Sequence, residues 1–358
     1  MFNFNFVIIL PLLASLIITA VAVPISLFFL GKYKVMDDPR VHKHPAIIHE
    51  KPIPRGGGIP LFIGVFLASL IFIPFTNLIA SIFFAAFISL IVGVIDDKYD
   101  ISPYSRFLVN IFSAIIVVYS GASVSFITNP FGGILFLNQI TIPFLPFPFS
   151  SVSAIIAVLW IVWVMNMLNW SKGVDGQMPG IVAISAVVIG ILSLRFSVLD
   201  QTSLTAATLS FIIAGASLGF LIYNYYPAKI FPGYGATAIY LLLAVASILS
   251  SAKLATAILV MGIPMTDGLF TIIRRVLSGR SPFWHDKKHL HHLLLSLGMG
   301  QKRVALFYWI VSAALGSLAL VLSSKGKLFA IIMLVIIAFG AILFLHILIK
   351  RFDDKSSL

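Results

Sequence analysis

Asp96 and Asp97 stand side by side in Gly93-Val94-Ile95-Asp96-Asp97-Lys98-Tyr99-Asp100, at the end of an apolar run. Adjacent carboxylates repel each other, so a cation or a proton belongs between them, or one pKa rises. If the helix continues, Asp96 and Asp100 share a face at i, i+4. That geometry suits capture of Mg²⁺, or a base that takes a proton from a phosphate. A solvated helix end is the bland alternative.

A second constellation ends another apolar run, Asn166-Met167-Leu168-Asn169-Trp170-Ser171-Lys172-Gly173-Val174-Asp175-Gly176-Gln177. Asn166 and Asn169 fall at i, i+3 on a last helical turn, and two glycines break the chain around Asp175. Amide oxygens with a carboxylate can ligate a hard cation, and polar helix capping is the other reading. A third segment reads Arg280-Ser281-Pro282-Phe283-Trp284-His285-Asp286-Lys287-Lys288-His289-Leu290-His291-His292. Helical spacing places His289 and His292 on one face. Imidazoles beside Arg and Lys suit a pyrophosphate. Zinc would need a fourth ligand or water, and a solvated basic loop remains open.

Two further signals are weaker. Lys51-Pro52-Ile53-Pro54-Arg55-Gly56-Gly57-Gly58 precedes an apolar run, and glycines at a helix start can expose N–H groups to an anion. Asp267 falls within an apolar run, so it faces a cavity or a partner rather than lipid.

The elements that must carry these residues are membrane helices. The chain is 60% hydrophobic and only 10% charged, which excludes an ordinary soluble domain of 358 residues. Its mean hydropathy of +1.08 agrees. Eleven spans can be read, near 5–31, 58–75, 77–95, 105–121, 150–169, 176–194, 202–223, 235–250, 253–274, 303–323 and 327–349. The polar stretches 32–57 and 275–302 are too short for a separate domain, so 1–358 reads as one all-α integral membrane domain. Ala20-Val21-Ala22 imitates a cleavage site, but no Lys or Arg precedes the first run and Lys32 and Lys34 follow it. It therefore reads as an uncleaved span. The connection 122–149, rich in Phe, Pro and Gly, reads as a short interfacial hairpin.

When the connections are assigned alternately to two sides, one side holds only Arg195, Lys253, Lys325, Lys327 and Asp200. The other takes the remaining basic and acidic residues, and every histidine but His346. Positive residues stay cytoplasmic, which places the N-terminus outside and the C-terminus inside. Insertion does not require acids and histidines to cluster, and a cytoplasmic catalytic face explains why they do. The net charge of +12 is spread over loops, so it speaks for membrane topology, anionic lipid and phosphorylated substrates rather than nucleic acid. The absence of cysteine excludes disulfides, thiolate metal sites and a Cys nucleophile.

Together these segments resemble the polyprenyl-phosphate N-acetylhexosamine-1-phosphate transferase family over about 40–300. The resemblance rests on Pro-Arg-Gly-Gly-Gly at 54–58, Asp96-Asp97, the Asn166/Asn169 segment and Pro227-Ala228-Lys229-Ile230-Phe231. It also rests on Arg280-Ser281-Pro282-Phe283 with His289-Leu290-His291-His292, which looks like the GlcNAc-1-phosphate branch rather than the peptidoglycan one. The resemblance implies transfer of a phospho-sugar from a UDP-sugar to a polyprenyl phosphate, releasing UMP with Mg²⁺, for a cell-surface polymer at the plasma membrane. It implies Asp96, Asp97 and Asp175 as catalytic residues, with Asn169 and Asp175 at the metal. Substrate contacts fall to Lys51, Arg55, Gly56, Asn166, Lys172, Asp267, Arg280, His289, His291 and His292. A homodimer is compatible with this class.

The chain departs from the family pattern twice. Lys172 replaces the first Asp of Asp-Gly-x-Asp-Gly, and Pro232-Gly233-Tyr234 replaces Met-Gly-Asp. Two carboxylates give way to an ammonium and a phenol, which predicts a weaker dependence on Mg²⁺. The competing functions are a non-catalytic scaffold that binds lipid phosphate or nucleotide sugar, and a transporter. A transporter calls for repeats and midplane charges, and Asp267 is the only acid within a span.

Overall fold

Apolar runs in lipid must satisfy their own backbone hydrogen bonds, and here they do so as helices. The computed structural model describes residues 5–40, 49, 51–129, 132–144, 146–195, 200–250, 254–284 and 286–356. Among them the helices are α1 (Leu10–Lys32), α2 (Gly58–Phe72), α3 (Asn77–Tyr99), α4 (Pro103–Tyr119), α5 (Val152–Trp170), α6 (Gln177–Ser193) and α7 (Gln201–Asn224). Then come α8 (Thr237–Leu249), α9 (Leu254–Val260), α10 (Gly262–Leu277), the short α11 (Leu290–Ser296), α12 (Gln301–Val321) and α13 (Ser324–Ser356).

Among the described residues six helices are long and apolar enough to cross a membrane, namely α1, α3, α5, α7, α12 and α13. Four shorter apolar helices, α2, α4, α6 and α8, fall on other expected spans. The run 253–274, expected as one straight span, is instead α9 and α10, bent by 83° at Met261. Gly262 and Pro264 supply the break, since proline cannot donate into the preceding turn.

α8 sits at the centre, with every residue from Thr237 to Leu249 buried. It packs on α3, α5 and α7, while α1 lies along α7 and α2, and α6 joins α7 to α12. α13 buries few of its residues and lies at the periphery, against α9 and α10.

Local chemistry sets the ends that matter. Asp100 adopts a left-handed conformation (φ 48°, ψ 63°) that stops α3, and Ser102 with Pro103 starts α4 three residues later. This tight reversal folds Arg106 back over the end of α3. At the opposite end of the bundle Asp200 accepts from the Ser203 amide at 2.7 Å and caps α7, which accounts for the single acid of that side.

Two small sheets complete the chain. β1 (Met36–Asp37) pairs antiparallel with β2 (Ile53–Pro54), and Arg55 continues into a parallel bridge with Phe231. β3 (Phe126–Thr128) and β4 (Ile134–Phe136) form the hairpin expected in 122–149, with Phe136, Phe144 and Phe147 exposed.

Candidate active site

A cavity of about 310 Å³ opens where the ends of α3, α5 and α10, the start of α4, and the connections 32–57, 225–236 and 278–289 meet. Its lining comes from the ends of apolar runs and from connections on the side that carries most of the charged residues. Asn166, Asn169, Lys172, Asp175, Arg55, His289, His291 and His292 all line it, as does Asp100, so four of the sequence segments converge.

The acidic pair lies just behind one wall. Asp96 is 0% and Asp97 3% exposed, so neither is a surface-loop carboxylate. Arg106 Nη1 donates to both oxygens of Asp96, at 3.1 and 3.0 Å. Arg55 Nε lies 3.0 Å from Asp97 Oδ1, which also accepts from the Tyr234 amide at 2.7 Å. The cation expected between the carboxylates is thus a pair of guanidinium groups. Both guanidinium groups reach the cavity lining, and the carboxylates do not. Arg106 is a residue that sequence reasoning missed. Its signal was a cation at the start of an apolar span, ten residues after Asp96.

The glycines of 54–58 act differently from the anion cradle expected of them. Gly56 and Gly57 amides donate to the Phe231 carbonyl, and Gly58 to that of Pro232. Their value is close approach, because a Cβ on Gly58 would lie 2.2 Å from the Gly235 carbonyl carbon. Gly93 meets Gly235 from the other side, where a Cβ would fall 2.4 Å from its Cα. The 231–236 connection is therefore wedged between α2 and α3. Gly56 and the exposed Lys51 do not line the cavity, nor does Arg280, whose guanidinium lies 3.7 Å over the Trp284 ring.

Lys172 and Tyr234 meet on the cavity floor. Lys172 Nζ donates to the Gly233 carbonyl at 2.8 Å and lies 5.6 Å from the Tyr234 ring centre, with Arg106 at 5.1 Å from the same ring. Burial and the neighbouring Arg55 pull the Lys172 ammonium down to about 7, against Asp97 and Asp96. Burial pushes the Tyr234 phenol up to about 12, and its oxygen accepts from Asn110 Nδ2 at 3.1 Å. It is a neutral wall.

Asp175 is buried, and burial raises its carboxyl even though Oδ2 accepts from the Ala228 amide at 2.9 Å. Asn169 Oδ1 is buried without a hydrogen-bond partner, whereas Asn166 Nδ2 is spent on the Val162 carbonyl at 2.8 Å. An unpaired amide oxygen with a carboxylate fits a hard cation that takes its other ligands from water and substrate phosphates. Among the described residues no group of three or more acidic or histidine side chains is placed to hold a metal ion, which leaves the zinc reading without support.

The histidines occupy the remaining wall. His289 precedes α11, and its ring stacks on His291 at 5.7 Å and lies 5.9 Å from Trp170. His291 fills the space over Gly173, where a Cβ would fall 1.9 Å from its Nε2. Burial first, then the neighbouring histidines, hold His291 well below the usual imidazole range. Burial, His289 and Lys287 hold His292 at about 4. Both are neutral near pH 7. His285 lies outside the described residues. Asp267 does not line the cavity; its oxygens serve His289 Nδ1 and the Leu290 amide, each at 3.0 Å. Arg275 and Asp286 join the wall, and the ion pairs with Arg274 and Arg275 outweigh burial to hold Asp286 at about 2.

Comparison with known proteins agrees with this picture. Residues 78–251 match glycosyl transferase family 4. The chain is 30% identical over 339 residues to a probable undecaprenyl-phosphate N-acetylglucosaminyl 1-phosphate transferase of Bacillus subtilis, covering 92% of this chain and 88% of that one. It is 30% identical to the decaprenyl-phosphate N-acetylglucosaminephosphotransferase of Mycobacterium tuberculosis H37Rv, covering 86% and 81%. It is 28% identical to the undecaprenyl-phosphate alpha-N-acetylglucosaminyl 1-phosphate transferase of Pasteurella multocida, covering 89% and 88%. With relatives aligned along more than four fifths of their length, the chain belongs to glycosyl transferase family 4.

Proposed function

We propose that this membrane enzyme transfers N-acetylglucosamine-1-phosphate from a UDP-sugar to a polyprenyl phosphate, at the cytoplasmic face of a cell membrane. The observation that carries the reading is the convergence of Arg55, Arg106, Lys172 and Arg275 on one cavity, in a chain similar to such transferases over nearly its full length. In the reaction an oxygen of the lipid phosphate attacks the β-phosphorus of the nucleotide. The bond from that phosphorus to the oxygen of the α-phosphate breaks, and UMP departs with the bonding electrons. No proton need be exchanged with water, so the protein's task is to bring several negative charges together.

The residues divide that task. Arg55 and Arg106, anchored by Asp97 and Asp96, are rigid cations where a phosphate enters. Asp96 and Asp97 act through these arginines, fixing their direction at the wall. Lys172 supplies a charge on the floor that forms when an anion arrives. Asn169 and Asp175 are the residues that would hold Mg²⁺, which when bound would neutralise charge on the diphosphate. With one carboxylate there and an ammonium beside it, the metal's share is smaller than in a site rich in acids. Every residue in this reading comes from a single chain.

The comparisons do not favour a non-catalytic scaffold. Purified protein, incubated with a panel of UDP-sugars with and without polyprenyl phosphate, tests the proposal. Lipid-dependent UMP release from UDP-GlcNAc is expected, and no release from any UDP-sugar would overturn it.

A further inference from the structure

Asp267 lies behind His289, which lines the cavity, and their geometry sets a direction. His289 Nδ1 lies 3.0 Å from Asp267 Oδ2, a buried carboxylate whose other oxygen already accepts from the Leu290 amide. A carboxylate accepts only, so Nδ1 carries the hydrogen. Thr271 Oγ1, at 3.4 Å, takes at most a weaker share of it. On the opposite edge Arg275 Nη2 lies 3.5 Å from Nε2, and because a guanidinium only donates, Nε2 presents its lone pair in this contact. Arg275 Nε donates to Asp286 at 3.1 Å, Nη1 donates to the Pro282 carbonyl, and the guanidinium lies 5.5 Å from the Trp170 ring centre. Three hydrogen-bonding groups and an aromatic face therefore hold one guanidinium in one plane at the cavity wall.

We infer that Asp267 and His289 form a relay that positions Arg275, and that Arg275 is the group of the 267–292 segment that meets the nucleotide's diphosphate. The inference rests on the proposed function for the identity of that diphosphate. With its Nε2 lone pair turned to Arg275, His289 does not donate to a phosphate from that nitrogen. It can accept from Arg275, and a planar, preorganised guanidinium is the better partner for a diphosphate. Asp267 thereby controls a contact it never makes.

Asp267→Asn reverses the relay. The amide oxygen can still serve Leu290, but its NH₂ turns toward His289 and forces the hydrogen onto Nε2. Two donors then oppose each other at Arg275. In the His289→Gln background this reversal is uncoupled, because a glutamine oxygen accepts from Arg275 whatever occupies position 267.

Two readouts decide it: titration calorimetry with UDP, and KM for UDP-GlcNAc measured by UMP release. Asp267→Asn in the otherwise native chain is expected to weaken UDP binding and raise KM about tenfold or more, with a smaller change in kcat. In the His289→Gln background the same substitution is expected to cost less than about twofold further. Equal losses in both backgrounds would mean that Asp267 only braces α11, and would overturn the relay. So would an Asp267→Asn variant with native UDP affinity. If Asp267→Asn does not fold, Arg275→Lys decides, and retention of native UDP affinity overturns the inference. A native protein that binds UDP with this pattern but releases no UMP refutes the proposed function and leaves the relay standing.

Discussion

Binding of a diphosphate is expected to be accompanied by proton uptake at Lys172. In the empty cavity this ammonium sits at about 7 because burial and Arg55 oppose its charge. A phosphate oxygen about 4 Å from Nζ contributes about 4 kcal/mol of attraction at an effective dielectric constant of about 20. Half of that raises the pKa by about 1.5 units. At pH 7.5 the lysine then passes from roughly one quarter charged to roughly nine tenths, an uptake of about 0.7 proton per site. Affinity is greatest below about pH 7, where the charge is already present, and falls about tenfold between pH 7 and 8.5. Titration calorimetry with UDP-GlcNAc in EDTA, repeated in buffers of different ionisation enthalpy, reads the protons directly. The diphosphate of the nucleotide sugar does not titrate in this range, and Lys172→Met serves as the control. An uptake that persists in Lys172→Met, or none in the native protein, refutes the reasoning.

Three further outcomes follow from the geometry. Asp97→Asn is expected to abolish UMP release and also to lower the thermal midpoint in detergent, because it leaves Arg55 without its buried partner, at a cost of about 3 kcal/mol; native stability with lost activity would show that the carboxylate does not hold Arg55. Gly58→Ala is expected to destabilise or prevent folding, since the added carbon meets the Gly235 backbone at 2.2 Å, and size-exclusion chromatography of the purified variant checks it. The native protein is expected to keep measurable turnover in EDTA, and Lys172→Asp with Tyr234→Asp to make turnover depend strictly on Mg²⁺; native activity that vanishes in EDTA and returns with Mg²⁺ contradicts the role given to Lys172.

The helices were legible because hydrophobic run length is a one-dimensional signal, and loop charge likewise marks the end of the bundle where the charged residues gather. Run length also locates α9 and α10, and Gly262 with Pro264 permits a break, but the 83° angle is set in three dimensions, where α12 and α13 pack against both helices. Asp96-Asp97, Asn169, Asp175 and the histidines were visible as polar residues at the ends of apolar runs. Their partners were not. Arg106 pairs with Asp96 only because Asp100 turns the chain left-handed, and Lys172 reaches Gly233 across sixty-one residues of sequence. The glycines of 56–58 show the limit from the other side. Loop glycine suggested free amides, while the fold spends those amides on Phe231 and Pro232 and uses the missing side chains for contact. Arg280 likewise read as an anion contact by composition, yet its guanidinium lies over Trp284 and away from the cavity lining.

The central claim is that the sugar moves together with its phosphate. UDP-GlcNAc labelled at the β-phosphorus, given to the purified protein with undecaprenyl phosphate, tests this directly. The account predicts that the label enters the lipid fraction in step with the release of unlabelled UMP, and that added UMP drives it back into the nucleotide. Label that stays in the aqueous phase as UDP while sugar alone reaches the lipid would contradict it.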